Sequence, residues 1–533
     1  MTIDTTLLHE LVLASAQRTP DASALCDDRS RLSYAQLASE IAQFANAMAT
    51  LGVARGARVA VYLDKRIETV IASFGATAQG AVFVPINPLL KADQVGYILR
   101  DCGVCVLVTS GARLEALNPV LASCPDLTHV VVVDARDGAT SEGSIATHHW
   151  AELREAGAAV SHRVVDQDIA AILYTSGSTG KPKGVVLSHR NMVAGAKSVA
   201  SYLENRSTDV LLAALPLSFD AGFSQLTTAF HVGASVVLLN YLLPKDVLNA
   251  CARHRVTGLT AVPPLWIQLV QLEWPAGITE HVRYFANTGG RMPLETLTRL
   301  RAALPNAKPY LMYGLTEAFR ATYLPPEEVD RRPDSIGKAI PNSEVLVLRP
   351  DGTECAADEP GELVQRGALV AQGYWNDAEK TAERFKPLPG RNSALMIPEV
   401  AVFSGDTVRR DAEGFLYFIG RRDEMIKSSG YRISPNEVEE VIYSTQLVGE
   451  CVAFGVPHAR VGEAVIVVAT GVEGSVLDVA RLLALCKERM PAYMVPARIE
   501  RHESPLPRNA NGKIDRKSIG DAWRQAAATA VES

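Results

Sequence analysis

The chain is poor in the features that mark a membrane span, a nucleic-acid partner or a disulfide-stapled scaffold. No run of about 18 apolar residues is present to cross a bilayer. The opening Met1-Thr2-Ile3-Asp4-Thr5-Thr6 lacks the positive charge and apolar stretch of a secretory signal, so a cytoplasmic location is expected. Basic residues do not predominate: 53 Lys and Arg face 59 Asp and Glu, a net charge of -6, which argues against the concentrated basic face of a nucleic-acid binder. Cysteine is sparse, with eight in 533 residues. The one close pair, Cys102 and Cys105, leads into a Val-Leu-Val run and has no second pair at zinc-binding spacing, so it reads as core.

What is present is an α/β pattern long enough for several units. Apolar strand-like runs such as 58–63, 81–85, 104–109, 129–133, 210–215, 235–239 and 344–348 alternate with helix-like segments such as 66–79. The character changes around Gly420-Arg421, after which strands at 451–456 and 464–469 and helices at 435–444 and 477–489 are expected. The fold class is therefore α/β, with a large multi-sheet N-terminal domain over residues 1–420 and a small α+β C-terminal domain over 421–533.

Ten residues carry the strongest chemical signal: Thr175, Ser176, Gly177, Ser178, Thr179, Gly180, Lys181, Pro182, Lys183 and Gly184. Glycines admit backbone N–H groups to an anion, hydroxyls add hydrogen bonds, and lysines supply charge, so the segment is a phosphate-holding loop. It follows the buried-strand run 169–174. It is not the common P-loop, because Gly177 and Gly180 are too close and Pro182 follows Lys181.

Further along, Tyr313-Gly314-Leu315-Thr316-Glu317 sets a carboxylate beside a hydroxyl. Mg²⁺ needs such an arrangement where it bridges a few protein oxygens and a triphosphate, making Glu317 the candidate metal ligand. Ser404-Gly405-Asp406 places a carboxylate after a tight turn, suited to ribose hydroxyls. Together with Asn287-Thr288-Gly289-Gly290, Gly361-Glu362-Leu363, Gly373-Tyr374-Trp375, Gly420-Arg421-Arg422-Asp423, Lys427-Ser428-Ser429-Gly430-Tyr431 and Asn511-Gly512-Lys513-Ile514-Asp515-Arg516, these motifs occur in the order found in the adenylate-forming superfamily. From about Tyr34 to Lys517 the chain resembles its acyl- and aryl-CoA synthetases, luciferases and peptide-synthetase adenylation domains.

The resemblance implies a two-step ligase. A carboxylate attacks the α-phosphorus of ATP with Mg²⁺, and a thiol of CoA or of carrier-protein phosphopantetheine then takes the acyl group from acyl-AMP. An amine acceptor is an alternative. Carried over by motif, Lys513 bridges the substrate carboxylate and the α-phosphate, Thr316 contacts phosphate, and the loop from Thr175 to Lys183 cradles pyrophosphate. Asp406 and Arg421 bind the ribose, Tyr313 lies against the adenine, and Gly289, Gly290 and Gly314 belong to the nucleotide site. Asp423 is the hinge of a mobile C-terminal domain, and Gly430 faces the thiol channel. A degenerate nucleotide-binding scaffold is expected to lose Lys513, Glu317 or the loop, and all three are present.

The acid pocket is the least legible part. Pro216-Leu217-Ser218-Phe219-Asp220 resembles amino-acid-activating domains, where the aspartate pairs with a substrate ammonium. Equally, Asp220 reads as the cap of the following helix. Arg320 is read as either a second anion site or, preferentially, a solvent-facing side chain. Arg291 has no assigned part. The substrate stays open between a carboxylic and an amino acid.

Overall fold

The computed structural model describes residues 4–134, 145–153, 162–175, 182–388, 399–421, 424–428, 431–458, 461–509 and 511–532. Ser176, Gly177, Ser178, Thr179, Gly180, Lys181, Asp423 and Gly430 lie outside them.

Two large sheets form the N-terminal domain. The first runs in the order 373–374, Lys183–Ser188, Ile169–Thr175, Val82–Pro85, Arg58–Tyr62, Val104–Thr109, His129–Val132, Ala146–His149. The second runs Lys338–Ala339, Thr322–Leu324, Lys308–Tyr313, Tyr284–Asn287, Gly258–Ala261, Val210–Ala213, Ser235–Leu238, Ser23–Cys26, Arg31–Ser33. Their inner strands are parallel and covered on both faces, which is why they are continuous apolar runs in the sequence.

Between the sheets lie the helices Ile67–Gln79 and Asp220–Val232. Phe223 stacks on Phe74 at 5.6 Å and on Phe83 at 4.8 Å between ring centroids. Gly222 is required at the start of the second helix, since a Cβ there would sit 1.9 Å from the Pro216 carbonyl oxygen.

A third sheet is built from Ser343–Leu348, Gly361–Gly367, Val400–Arg410, Phe385–Pro387 and Leu416–Arg421. The smaller C-terminal domain has a sheet of Tyr431–Ile433, Ile426–Ser428, Gly462–Gly471, Val448–His458 and Arg498–Arg501, with the helices Pro435–Ser444, Val479–Arg489 and Arg516–Glu532. Its apolar core is its own, around Val438, Ile442, Val467, Leu482 and Cys486. All eight cysteines are free, Cys102 buried and Cys105 partly so. Among the described residues no helix is long and apolar enough to cross a membrane.

The N-terminal segment is fastened to the helix His189–Tyr202 by a buried imidazole. Leu8 N–H donates to His189 Nδ1 at 2.9 Å, which requires that nitrogen to be unprotonated. Burial pushes the His189 pKa down to about 3 and that of the neighbouring His9 down to about 4. The unfolded chain therefore binds protons that the native state refuses. Stability is full above the ordinary histidine range near 6.5 and is lost as pH falls through it. Urea unfolding should show His189 alone removing roughly 2 kcal/mol between about pH 7 and 5. A His189→Gln variant should show a correspondingly shallower slope, and equal slopes would reject the assignment.

Candidate functional site

The cleft opens at the carboxyl ends of the parallel strands Val210–Ala213, Gly258–Ala261, Tyr284–Asn287 and Lys308–Tyr313, where α/β sheets ordinarily receive ligands. Across it stands a tight turn of the C-terminal domain that presents Lys513. Asn509 Oδ1 accepts from the N–H groups of Asn511 and Lys513 at 3.0 and 3.1 Å, and Gly512 adopts φ +79°. Arg508, paired with the buried Glu450, donates to the Gly512 carbonyl at 3.1 Å. The base of the turn is thus fixed by an ion pair that no motif announced.

The Lys513 side chain crosses from this turn into the N-terminal domain. Its Nζ is 5.4 Å from the centre of the Phe219 ring. A Cβ on Gly289 would approach Lys513 Cε to 2.8 Å, so the lysine stem occupies the space that glycine leaves open. Burial lowers the Lys513 pKa; Asp220 and Asp406 pull it up, while Arg421 and Arg320 add to the lowering. An ammonium in this setting is under-compensated and suited to receive an anion.

Tyr313, Asp406 and Arg421 form one wall. Asp406 and Arg421 are register partners on antiparallel strands, with Arg421 Nε 3.7 Å from Asp406 Oδ1. Tyr313 OH donates to Asp406 Oδ2, while Oδ1 has no hydrogen-bond partner. Burial raises the Asp406 pKa, with Arg421 the main opposing influence. A buried carboxylate with an unmatched oxygen is a fitting acceptor for a hydroxyl.

The other wall holds Glu317 on the short turn Thr316–Ala318. Tyr374 OH donates to Glu317 Oε1 at 2.7 Å, and Lys183 Nζ lies 5.5 Å from the Tyr374 ring centre. Lys183 pairs in register with Thr175, so the ends of the strands Ile169–Thr175 and Lys183–Ser188 meet near Tyr374. In the sequence Tyr374 stands only as part of the Gly373-Tyr374-Trp375 motif. Among the described residues no cluster of three or more His, Cys, Asp or Glu is able to hold a metal by itself. Magnesium carried on substrate phosphates needs only one or two protein carboxylates, and Glu317 fits that demand.

Two expectations are corrected. Asp220 does not cap its helix: Phe219 holds the cap position and makes no side-chain cap bond, while the Asp220 carboxylate turns inward. Arg320 does not face solvent. It is 2% exposed and donates from Nη1 to Asp220 Oδ2 at 3.0 Å. The cause is Phe319, at φ +58° and ψ -51°, with Arg320 N–H donating to the Ala318 carbonyl at 2.6 Å. This is a γ-turn of the rare positive-φ kind, strained by about 1–3 kcal/mol. It reverses the chain so that the next side chain points into the protein. The Phe319 ring is held in a notch left by Gly195, where a Cβ would come within 2.3 Å of it. Burial raises the Asp220 pKa, with Arg320 and then Lys513 opposing. Behind the pair is a small, partly open cavity lined by Ala221, Ser224, Gln225, Thr228, Thr260 and Arg320 among others.

Residues 12–375 match the family described as AMP-binding enzyme, and residues 437–513 match the AMP-binding enzyme C-terminal domain. The chain belongs to the AMP-binding enzyme family. This AMP-binding enzyme is 30% identical over 525 residues to the L-proline--[L-prolyl-carrier protein] ligase of Pseudomonas fluorescens, covering 96% of this chain and 98% of that one. Its fold superposes on the anthranilate CoA ligase AuaEII in complex with anthranoyl-AMP with a TM-score of 0.87, at 26% identity and 98% coverage of both chains. It also matches the o-succinylbenzoate CoA synthetase of Bacillus subtilis in complex with ATP and magnesium ion, with a TM-score of 0.79, 28% identity and coverage of 96% and 99%.

Proposed function

We propose that this AMP-binding enzyme is an AMP-forming acid–thiol ligase that uses ATP and Mg²⁺ and delivers its acyl group to the thiol of CoA or of a carrier-protein phosphopantetheine. In the first step a carboxylate oxygen bonds to the α-phosphorus of ATP and the bond to pyrophosphate breaks. In the second the thiol sulfur bonds to the acyl carbon, AMP departs and the thiol proton is lost. The observation that carries the reading is the Lys513 ammonium, brought by the C-terminal domain to the Phe219 ring and over Gly289.

Joining two anions requires positive charge where the transferring phosphoryl forms. Lys513 supplies it between acid and α-phosphate. Arg421 and Asp406 hold the ribose, Tyr313, Gly289, Gly290 and Gly314 border the base and backbone of the nucleotide, and Thr316 contacts phosphate. Lys183, Thr175 and the intervening loop hold pyrophosphate, and Glu317 would hold Mg²⁺, which would supply positive charge to the triphosphate. Between the strands ending at Arg421 and starting at Ile426 we place the hinge, at Asp423, with Gly430 facing the thiol channel once the domain has turned. We assign the enzyme to the cytoplasm, where ATP and CoA are both at hand.

For the acid we favour a carboxylic acid bearing an uncharged polar substituent over an amino acid. The Asp220 carboxylate is already paired with Arg320, and Lys513 stands close by, so a substrate ammonium would meet two cations and one shared anion. Asp220 Oδ1, Arg320 Nε and Gln225 Oε1 are buried without partners and await a neutral donor or acceptor. Pyrophosphate exchange over paired amino and des-amino acids tests this. Hydroxylated or otherwise neutral acids should exceed their amino counterparts, and dominance of the amino acids would give Asp220 the ammonium-binding part instead.

A further inference from the structure

Lys513 serves its purpose only while the C-terminal domain is held against the cleft, and the turn that carries it makes no bond to the N-terminal domain strong enough to do so among the described residues. The helix Pro435–Ser444 does. Glu440 on this helix crosses to the start of the helix Leu294–Ala303, where its Oε1 accepts from Leu294 N–H at 3.0 Å. That N–H belongs to the first helical residue, one of the groups an α-helix cannot satisfy internally, and Pro293 before it offers no side-chain acceptor. Glu440 Oε2 is 3.8 Å from Arg291 Nε, a buried nitrogen with no hydrogen bond of its own. A carboxylate at a helix N-terminus is favoured by the helix dipole as well. Arg291 directly follows Gly289 and Gly290, so the same short loop that makes room for Lys513 also grips the domain that delivers it.

We propose that Glu440 is a positioning residue, a latch onto Leu294 N–H and Arg291 that holds the C-terminal domain in its adenylating arrangement. It touches neither acid nor nucleotide. Its contribution is a differential one: the contact exists in this arrangement and is broken when the domain turns, so its loss shifts the population away from adenylation without harming the thiol step. The neighbouring Glu439 has a different part, since it pairs with Arg516 inside the C-terminal domain.

The inference rests on the assignment of Lys513 above, and the experiment separates the two. Glu440→Ala should lower ATP–pyrophosphate exchange about tenfold, the worth of one charged hydrogen bond, with transfer of supplied acyl-adenylate to thiol and the thermal midpoint both unchanged. Glu440→Gln, which still accepts from Leu294 N–H, should lose less. Arg291→Ala combined with Glu440→Ala should lose no more than Glu440→Ala alone. The exposed Glu437→Ala, on the same helix, should behave as wild type. Energy transfer between dyes on cysteines introduced at the exposed Leu242 and Ser475 should report a smaller closed fraction in the ATP-bound Glu440→Ala enzyme. Unchanged exchange, equal loss in both half-reactions, additive losses in the double variant, or unchanged energy transfer would each overturn the latch. An altered energy transfer with Lys513→Ala fully active would instead retain the latch and remove the role given to Lys513.

Discussion

Lys513→Ala should lose on the order of 100-fold or more of its acyl-adenylate formation while using supplied acyl-adenylate as well as the parent enzyme does. The size follows from removing a preorganised charge aimed at a transferring phosphoryl group. The selectivity follows from geometry. The ammonium belongs to the C-terminal domain, and its place over Gly289 and beside Phe219 exists only while that domain is closed on the cleft. Asn509 and Arg508 hold the turn through backbone groups, so shortening the side chain leaves the turn intact. Rapid-quench measurement of both half-reactions decides the matter, and parallel losses would mean a shared role or a misfolded domain.

The second large effect is expected at the buried pair. Arg320→Ala strands the Asp220 carboxylate beneath the cleft, and breaking such a pair costs roughly 3–5 kcal/mol. Both side chains are 3% exposed, so solvent screens little of this. Replacing both, Asp220→Leu with Arg320→Met, should recover most of the stability, because well-packed apolar groups commonly match a buried ion pair. Acid selectivity should not recover, since the polar atoms facing the cavity are gone with the charges. Denaturant unfolding of the single and double variants, with exchange assays on polar and apolar acids, reads both consequences. A double variant as unstable as Arg320→Ala would show that the pair is held for packing reasons unrelated to its charge.

The inner sheets were legible because their chemistry is local. Val104–Thr109 and Pro435–Ser444 fall where the apolar runs and helix periodicity place them. Helix starts were less legible. At Phe219-Asp220 the sequence offers a good capping aspartate, but the pull of an arginine a hundred positions away outweighs a cap worth about 1 kcal/mol. That arginine could not be aimed from sequence, because its direction depends on one φ angle at Phe319, and a non-glycine residue rarely adopts it. The nucleotide motifs carried the resemblance residue by residue. Glu450 under Arg508 and Glu440 at Leu294 carry no motif, and the motif around Tyr374 does not announce its bond to Glu317, because each is a contact made only by the tertiary fold.

The helix His189–Tyr202 has a consequence for how such an enzyme changes its diet over generations. One end anchors the N-terminal segment through His189, its middle gives Phe319 the notch at Gly195, and its far end stacks Tyr202 on Tyr323 at 4.3 Å, with Val199 lining the small cavity behind Arg320. This side of the cavity is built on a helix fastened at three points, whereas the facing side carries Thr260 of the strand Gly258–Ala261. Tolerance is therefore divided unequally around the pocket. If this cavity takes part of the acid, the strand side rather than the helix side is where a change of acid is expected to be accommodated.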